Sequence, residues 1–162
     1  MGTRVRAVEA ADGELLYVAC TNSTSVHVID IDDGQTLEVI KSSLFATADN
    51  GSTPNSIALS PDGKALLIAN ADNNNLALID VTQRGHSRSL GFIPVGWYPT
   101  SVRFHRDGRI LVANGKGLMS KANRGGPNSE REPPATVREY IAGLFRGTLG
   151  VIDAPSPADM AK

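Results

Sequence analysis

Short apolar runs, separated by turns rich in Gly, Asn and Asp, recur along this chain at nearly equal spacing. Equivalent residues of consecutive apolar runs have the same spacing of 11 positions in two of the units, from Val18 to Ile29 and from Ile68 to Ile79. The turns before the first run of each unit contain Asp-Gly, at Asp12-Gly13, Asp62-Gly63 and Asp107-Gly108. Self-similarity at a period of 40 to 50 residues indicates an array of one repeated supersecondary unit.

The second unit predicts four strands, at about 56–59, 65–70, 75–80 and 89–94. Its first turn, Ser60-Pro61-Asp62-Gly63, joins a proline that presets φ to a glycine that adopts positive φ. Two units open with a proline eight residues before the aspartate, Pro54 and Pro99, and proline suits the first residue of a strand. The run Ala65 to Ala69 is apolar at every position, which is typical of a sheet covered on both faces.

These patterns predict an all-β fold, a partial β-propeller of about three four-stranded blades. Blade 1 is expected at 4–50, blade 2 at 51–96, and an incomplete blade 3 at 97–162. Blade 3 carries an insertion at 115–146, since Val112 and Ile152 are 40 residues apart. The insertion should be a loop followed by a short helix at 135–145. It either packs on the propeller as a lid or contacts a ligand or an adjoining domain.

Composition narrows the function classes. The 162 residues are 41% hydrophobic and 20% charged, with a formal net charge of −1, which gives no reason to expect nucleic acid as a partner. No apolar stretch approaches the length of a membrane span. The single cysteine, Cys20, lies in an apolar run and is expected to be a small buried residue. No histidine pair has a metal-ligand spacing, so neither a metal nor another cofactor is expected.

The stretch Ser60-Pro61-Asp62-Gly63-Lys64-Ala65-Leu66-Leu67-Ile68-Ala69-Asn70 resembles the core of the repeat in the YVTN β-propeller family. Ile79-Asp80-Val81 resembles the end of the same repeat. The resemblance covers residues 4 to about 114 and resumes at about 147–153. It implies a propeller fold and leaves the function open, because such folds host many functions.

Residues 93–100, together with Asn114-Gly115-Lys116-Gly117 and the segment 123–127, are similar to bacterial proteins in which such a propeller precedes a phosphoesterase domain. In that subfamily the catalytic metal residues belong to the phosphoesterase domain, so the resemblance assigns no catalytic residue here. It also implies an exported parent, in the periplasm or at the cell surface.

Four residues are candidates for ligand contact: Arg103, Asn114, Lys116 and Asn123. Arg103 is the charged side chain of the innermost predicted strands, and the other three lie at or within the insertion. Gly115-Lys116-Gly117 lacks the full phosphate-loop pattern. His27 occupies a position that holds Ala77 in the second unit and is expected to pack at a blade edge.

The leading functional hypothesis is a non-catalytic binding or scaffold segment of a larger bacterial protein. The alternative is a lactonase-like hydrolase with a site in the propeller channel, and a purely structural or adhesive role stays open. Three blades do not close a ring. Each uncovered terminal face, of roughly 300 Å2, would forgo about 8 kcal/mol of apolar burial. The expected partners are therefore the remaining blades, an adjoining domain, or a second copy of the chain.

Overall fold

The computed structural model describes residues 5–9, 13–45, 47, 51–119 and 145–160. They form three antiparallel sheets whose strands follow one another in chain order. The first sheet comprises β1 (Val5–Glu9), β2 (Leu15–Cys20), β3 (Ser25–Asp30) and β4 (Thr36–Lys41). The second comprises β5 (Pro54–Leu59), β6 (Ala65–Asn70), β7 (Asn75–Asp80) and β8 (Arg88–Pro94). The third comprises β9 (Trp97–Phe104), β10 (Ile110–Gly117) and β11 (Thr148–Ile152), and α1 (Pro157–Met160) follows.

The three sheets are blades of a partial β-propeller, as the repeat predicts. We call them blades 1, 2 and 3. The innermost strand β5 lies against β1 on one side and β9 on the other. The predicted limits 4–50, 51–96 and 97–162 stay predictions. Residues 120–144, which hold most of the predicted insertion and its helix, lie outside the described residues, whereas Gly115 to Gly117 belong to β10.

Apolar packing between neighbouring blades forms the core. Because successive side chains of a strand point to opposite faces, β6 directs Leu66 and Ile68 toward blade 1 and Leu67 and Ala69 toward blade 3. All four side chains are completely buried. The uninterrupted apolar run therefore reflects a sheet covered on both faces, as the sequence predicts.

The Asp-Gly turns have the backbone conformation that their residue types favour. Gly13, Gly63 and Gly108 all have positive φ, between 72° and 90°. In the second unit the Asp62 carboxylate accepts hydrogen bonds from the Ser60 hydroxyl, at 2.6 Å, and from the Lys64 amide, at 3.2 Å. These local bonds satisfy polar groups that a two-strand reversal would otherwise leave to water.

The recurring aspartates at the ends of the third strands serve the next turn. Asp30 accepts a bond from the Asp32 amide, and Asp80 accepts bonds from the amide and hydroxyl of Thr82. Their recurrence is thus explained by turn geometry, as expected from their register.

Polar contacts at the rim join blade 1 to blade 2. The Arg84 guanidinium donates to the carboxylates of Glu14, at 2.6 Å, and Asp30. The Glu38 carboxylate accepts from both the amide and the hydroxyl of Ser87. The Arg84 side chain is 46% exposed, so this ion pair orients the rim more than it stabilises the fold.

Blade 3 has three described strands, and the chain then forms α1. Met160 of this helix packs against the outer strand of blade 2. A Cβ at Gly91 would lie 2.9 Å from Met160 Cε, so the end of the Met160 side chain lies close against the backbone of β8. The helix therefore covers part of the apolar edge between blades 2 and 3.

Two sequence expectations were wrong in detail. Pro54 does begin β5, but Pro99 is the third residue of β9, which starts at Trp97 because Trp97 pairs with Gly117 beyond an irregularity in β10. Cys20 is partly exposed rather than buried, since it lies on the face of blade 1 that points away from blade 2. Within the described residues, no helix has the length and apolar character needed to cross a bilayer.

The turn carboxylates predict an acid-sensitive fold. Hydrogen bonds from the Arg109 side chain, His105 and the Arg109 amide hold the pKa of Asp107 well below its ordinary value of 3.8. The Ser60 hydroxyl and the Lys64 amide likewise lower the pKa of Asp62. A lowered folded-state pKa contributes stability that is present above the ordinary value and lost as the pH falls through the folded value.

We therefore expect the melting temperature to fall as the pH drops from about 5 to about 2. The double variant Asp62→Asn/Asp107→Asn should show a shallower fall, because two of the titrating groups are gone. Calorimetry across this range measures both slopes. Equal slopes for the variant and the wild type would contradict the assignment of acid sensitivity to these turns.

Candidate functional site

A polar cleft lies at the end of the blades where β2 turns into β3, β6 turns into β7, and the inner strands β5 and β9 begin. Its volume is about 540 Å3, which is within the range of small-ligand sites. Blade 1 contributes two lining residues, blade 2 three and blade 3 two. The lining consists of Thr21, Asn22, Thr53, Asn55, Asp72, Tyr98 and Thr100, and we call this set the polar cleft.

Unusual backbone conformations are concentrated at this cleft. Among the described residues, three that are not glycine have positive φ: Thr53 at 52°, Asn74 at 54° and Tyr98 at 58°. Two of them line the cleft and the third bonds to one of those. A β-branched or bulky residue rarely adopts this region, and such strain concentrates at functional sites. The strain is therefore an independent pointer to the same place in the fold.

Specific hydrogen bonds hold these conformations. The Thr53 hydroxyl donates to the Asp72 carboxylate, and the Tyr98 amide donates to Asn74 Oδ1 at 2.8 Å. Thr100 Oγ1 donates to the Ala113 carbonyl at 3.2 Å. The cleft walls from different strands and blades are thus tied together by polar contacts.

Lys116 contacts the cleft through Tyr98. Its Nζ lies 4.5 Å from the centroid of the Tyr98 ring and 5.9 Å from that of Phe145. A cation over an aromatic face is attracted by the ring quadrupole. The Lys116 ammonium therefore stabilises the position of the Tyr98 ring, although Lys116 is not itself a lining residue.

One buried hydroxyl in the lining has no partner. Thr21 is 8% exposed, and its Oγ1 makes no hydrogen bond to the described residues. An unpaired buried polar group costs roughly 1–3 kcal/mol. The homologous position in blade 2 is Ala71, which carries no polar side chain, so the hydroxyl of Thr21 is not required to build this turn.

The predicted ligand residues have different surroundings. Arg103 lies on the innermost strand of blade 3, and its Nη1 donates to the Val102 carbonyl at 2.6 Å and to Ser56 Oγ at 3.4 Å. Lys116 is placed against the cleft wall, as described above. Asn123 lies outside the described residues.

Asn114 has a structural role. It is 4% exposed, and its Nδ2 donates to Thr148 Oγ1 at 3.3 Å. In blade 2 the equivalent Asn70 donates to Asn75 Oδ1 at 3.0 Å, between the corresponding pair of strands. The same amide thus ties the second strand to the third in both blades.

Sequence reasoning overlooked the residues that line the cleft. A local signal existed for two of them, because Thr53 and Tyr98 stand directly before the prolines that open two units. Thr21 and Asp72 gave no such signal. Their proximity depends on how the blades are arranged in space.

The chemistry of the lining is mainly that of neutral hydrogen-bonding groups. It includes one carboxylate, Asp72, and no histidine, cysteine or serine among the described residues that form it. Within the described part of the chain, no group of three or more His, Cys, Asp or Glu side chains is arranged to hold a metal ion. The cleft is equipped to bind a polar ligand by donating and accepting hydrogen bonds.

A second cavity, of about 580 Å3, lies between β8 and α1. Leu78, Leu90 and Met160 supply apolar walls, and these residues belong to or pack on the core between blades 2 and 3. This cavity therefore borders the apolar core between blades 2 and 3, beside the outer strand of blade 2.

The sequence model of the family described as "Choice-of-anchor I domain" matches residues 6–128, about three quarters of the chain. No curated protein is similar enough to the chain to count as a match.

Several solved structures share the fold. A putative 6-phosphogluconolactonase from Bacteroides uniformis is 24% identical, with a TM-score of 0.60 over 70% of this chain and 34% of its own. Hydrazine synthase from Kuenenia stuttgartiensis is 23% identical, with a TM-score of 0.56 over 67% of this chain and 28% of its own. A virginiamycin B lyase from Staphylococcus aureus is 18% identical, with a TM-score of 0.53 over 71% and 36%. The present chain spans about a third of the length of these proteins.

The contrast between Asn114 and the cleft can be tested by truncation. Asn114→Ala should lower the free energy of unfolding by about 1 kcal/mol, because it removes a partly buried hydrogen bond to Thr148. Asn22→Ala, at an exposed position of the cleft, should change it by less than about 0.5 kcal/mol. Urea unfolding of both variants gives the comparison. Equal stabilities would mean that Asn114 has no structural role.

Proposed function

Because the chain belongs to the choice-of-anchor I domain family, we propose that it is a non-catalytic binding and scaffold segment of a β-propeller that further blades complete. The family membership and the fold support a blade array. The binding part of the proposal rests on the polar cleft.

The main support comes from the outward face of blade 3, which has the same apolar pattern as the buried face by which blade 2 packs on blade 3. Strand pairing puts four apolar residues of blade 3 in register with four residues by which blade 2 packs on blade 3. The correspondence is Leu111 with Leu67, Ala113 with Ala69, Leu149 with Leu76, and Val151 with Leu78. In blade 2 these positions are buried, whereas Leu149 is 70% and Val151 54% exposed.

Blade 1 has the complementary feature on its opposite side. Its residues Leu16, Val18, His27 and Ile29 are in register with Leu66, Ile68, Ala77 and Ile79, by which blade 2 packs on blade 1. Three of the four positions keep an apolar residue, and His27 is the exception. Each terminal face therefore has the composition that this fold uses to contact a neighbouring blade.

These matched faces support one kind of occupant, a further blade of the same repeat. The contact geometry already exists twice in the chain, between blades 1 and 2 and between blades 2 and 3. The chain's span of about a third of its structural relatives agrees with this proposal. When further blades are absent, a second copy of the chain can cover such a face in their place, and the experiment below measures this.

The parent is further proposed to be a bacterial YVTN-repeat protein with a phosphoesterase domain. Support comes from the motif at 60–70 and from the stretch 93–127. Reading the coding sequence on both sides of this segment tests this, and it predicts additional Asp-Gly blades followed by metal-ligand motifs.

The lactonase alternative draws on the similarity to putative 6-phosphogluconolactonases, which at 24% identity shows the fold alone. Hydrolysis of a lactone by this chain, abolished by a chelator, would favour that alternative over a binding segment. Unchanged lactone after long incubation would favour the binding segment.

The exposed faces predict that the chain alone self-associates. A double variant on the blade 3 face, Leu149→Glu/Val151→Glu, should weaken association at least tenfold. The reason is that burying one such side chain contributes about 1.5–3 kcal/mol, and 1.4 kcal/mol corresponds to a factor of ten. Sedimentation velocity and thermal melting at several concentrations provide the measurement.

Leu118→Glu is the matched control, because Leu118 is 78% exposed and follows the last residue of β10. Its association should equal that of the wild type. A wild-type chain that melts sharply as a monomer at every concentration would contradict the proposal that its terminal faces await further blades.

A further inference from the structure

We infer that the polar cleft binds a neutral, polyhydroxylated ligand of the saccharide class. This inference rests on the binding role proposed above. It does not depend on completion by further blades, because every lining residue belongs to blades 1 to 3.

The unpaired hydroxyl of Thr21 is the first argument. It is more than nine-tenths buried and lines the cleft, and no described residue bonds its Oγ1. Buried polar groups in folded proteins nearly always have a partner. A ligand hydroxyl in the cleft would supply one.

Two amides form the second argument. Asn22, from the turn after β2, and Asn55, on β5, both line the cleft. Within the described part of the chain, neither side chain makes a hydrogen bond. Each amide offers an acceptor and two donors. Sugar hydroxyls donate and accept at once, so this mixed set of donors and acceptors matches them.

The charges in the cleft argue against an anionic ligand. The carboxylate of Asp72 lines the cleft, and the hydroxyl of Thr53 is committed to it. A phosphate or carboxylate ligand would meet this negative charge. The nearby cation, Lys116, is directed over the ring of Tyr98. A neutral ligand incurs no such repulsion, and the Asp72 carboxylate can accept a charge-assisted hydrogen bond from a hydroxyl group of the ligand.

Tyr98 supplies an apolar surface among these polar groups. It is the aromatic member of the described lining, held by its strained backbone and by the bond from its amide to Asn74. An aromatic ring beside amides and a carboxylate gives the amphipathic surface that the C–H and O–H groups of a sugar require. An extended peptide would instead add to a free strand edge. The cleft wall is formed by side chains at strand ends and turns.

The experiment uses the full chain with methyl glycosides of glucose, galactose, mannose and N-acetylglucosamine, and with inorganic phosphate and triglycine as comparison probes. Saturation-transfer NMR and titration calorimetry measure binding. At least one glycoside should bind with a Kd near or below about 1 mM, a free energy of about −4 kcal/mol. Binding of phosphate or triglycine in place of every glycoside would overturn the inference.

The decisive variants are at Thr21. Thr21→Val should weaken glycoside binding about tenfold without lowering the melting temperature, because it removes a hydroxyl that has no partner in the described structure. Thr21→Ser keeps the hydroxyl and should retain the affinity. Thr82→Val, in the turn after β7, is the matched control and should bind like the wild type. A lower melting temperature with unchanged affinity for Thr21→Val would show a structural role for the hydroxyl and overturn the inference.

The two proposals fail in different ways. A monomer that melts independently of concentration and still binds a glycoside would contradict the need for further blades and support the ligand assignment. A self-associating chain that binds no glycoside would do the reverse.

Discussion

Face-to-face packing of apolar sheets is the interaction on which the rest of this structure depends. Blade 2 makes this contact on both faces, because alternate residues of β6 and β7 are buried against blade 1 and against blade 3. The buried apolar clusters of the described residues lie on the two faces of blade 2. The position of every turn, and hence of the polar cleft, follows from how the blades stack on one another. The exposed apolar residues at both ends of the array have the same origin, since a sheet built to be covered twice is there covered once.

Much of the fold could be predicted from the sequence because its determinants are local. The strands β6 and β7 coincide with the predicted 65–70 and 75–80, where turn residues bound apolar runs on both sides. Gly63 and Gly108 adopt the positive φ that their Asp-Gly turns require. Errors arose where pairing overrides the pattern, as at Trp97, which joins β9 through its contact with Gly117.

The candidate site could not be predicted in the same way. Thr21 and Asp72 are 51 positions apart, and their proximity is a property of the blade arrangement. The candidates chosen from sequence were selected for charge or for a glycine-rich setting, and these criteria identified Lys116, which lies against the cleft wall. They also selected Asn114, whose register with Asn70 shows that it bridges two strands. A comparison of equivalent positions among the blades would have identified Asn114 as a structural residue rather than a ligand-binding one.

The two ends of the blades differ in the hydrogen bonds and in the residue types of their turns. The Asp-Gly turns and the turns after Asp30 and Asp80 lie at the end opposite the cleft, and their side chains are occupied with short local bonds. At the cleft end the corresponding positions differ from blade to blade, with Thr21 in one and Ala71 in the next. Substitutions there can alter the surface of the cleft while the other end preserves the geometry of the array. Duplication of such a unit would therefore supply chemically different cleft surfaces on an unchanged arrangement of strands.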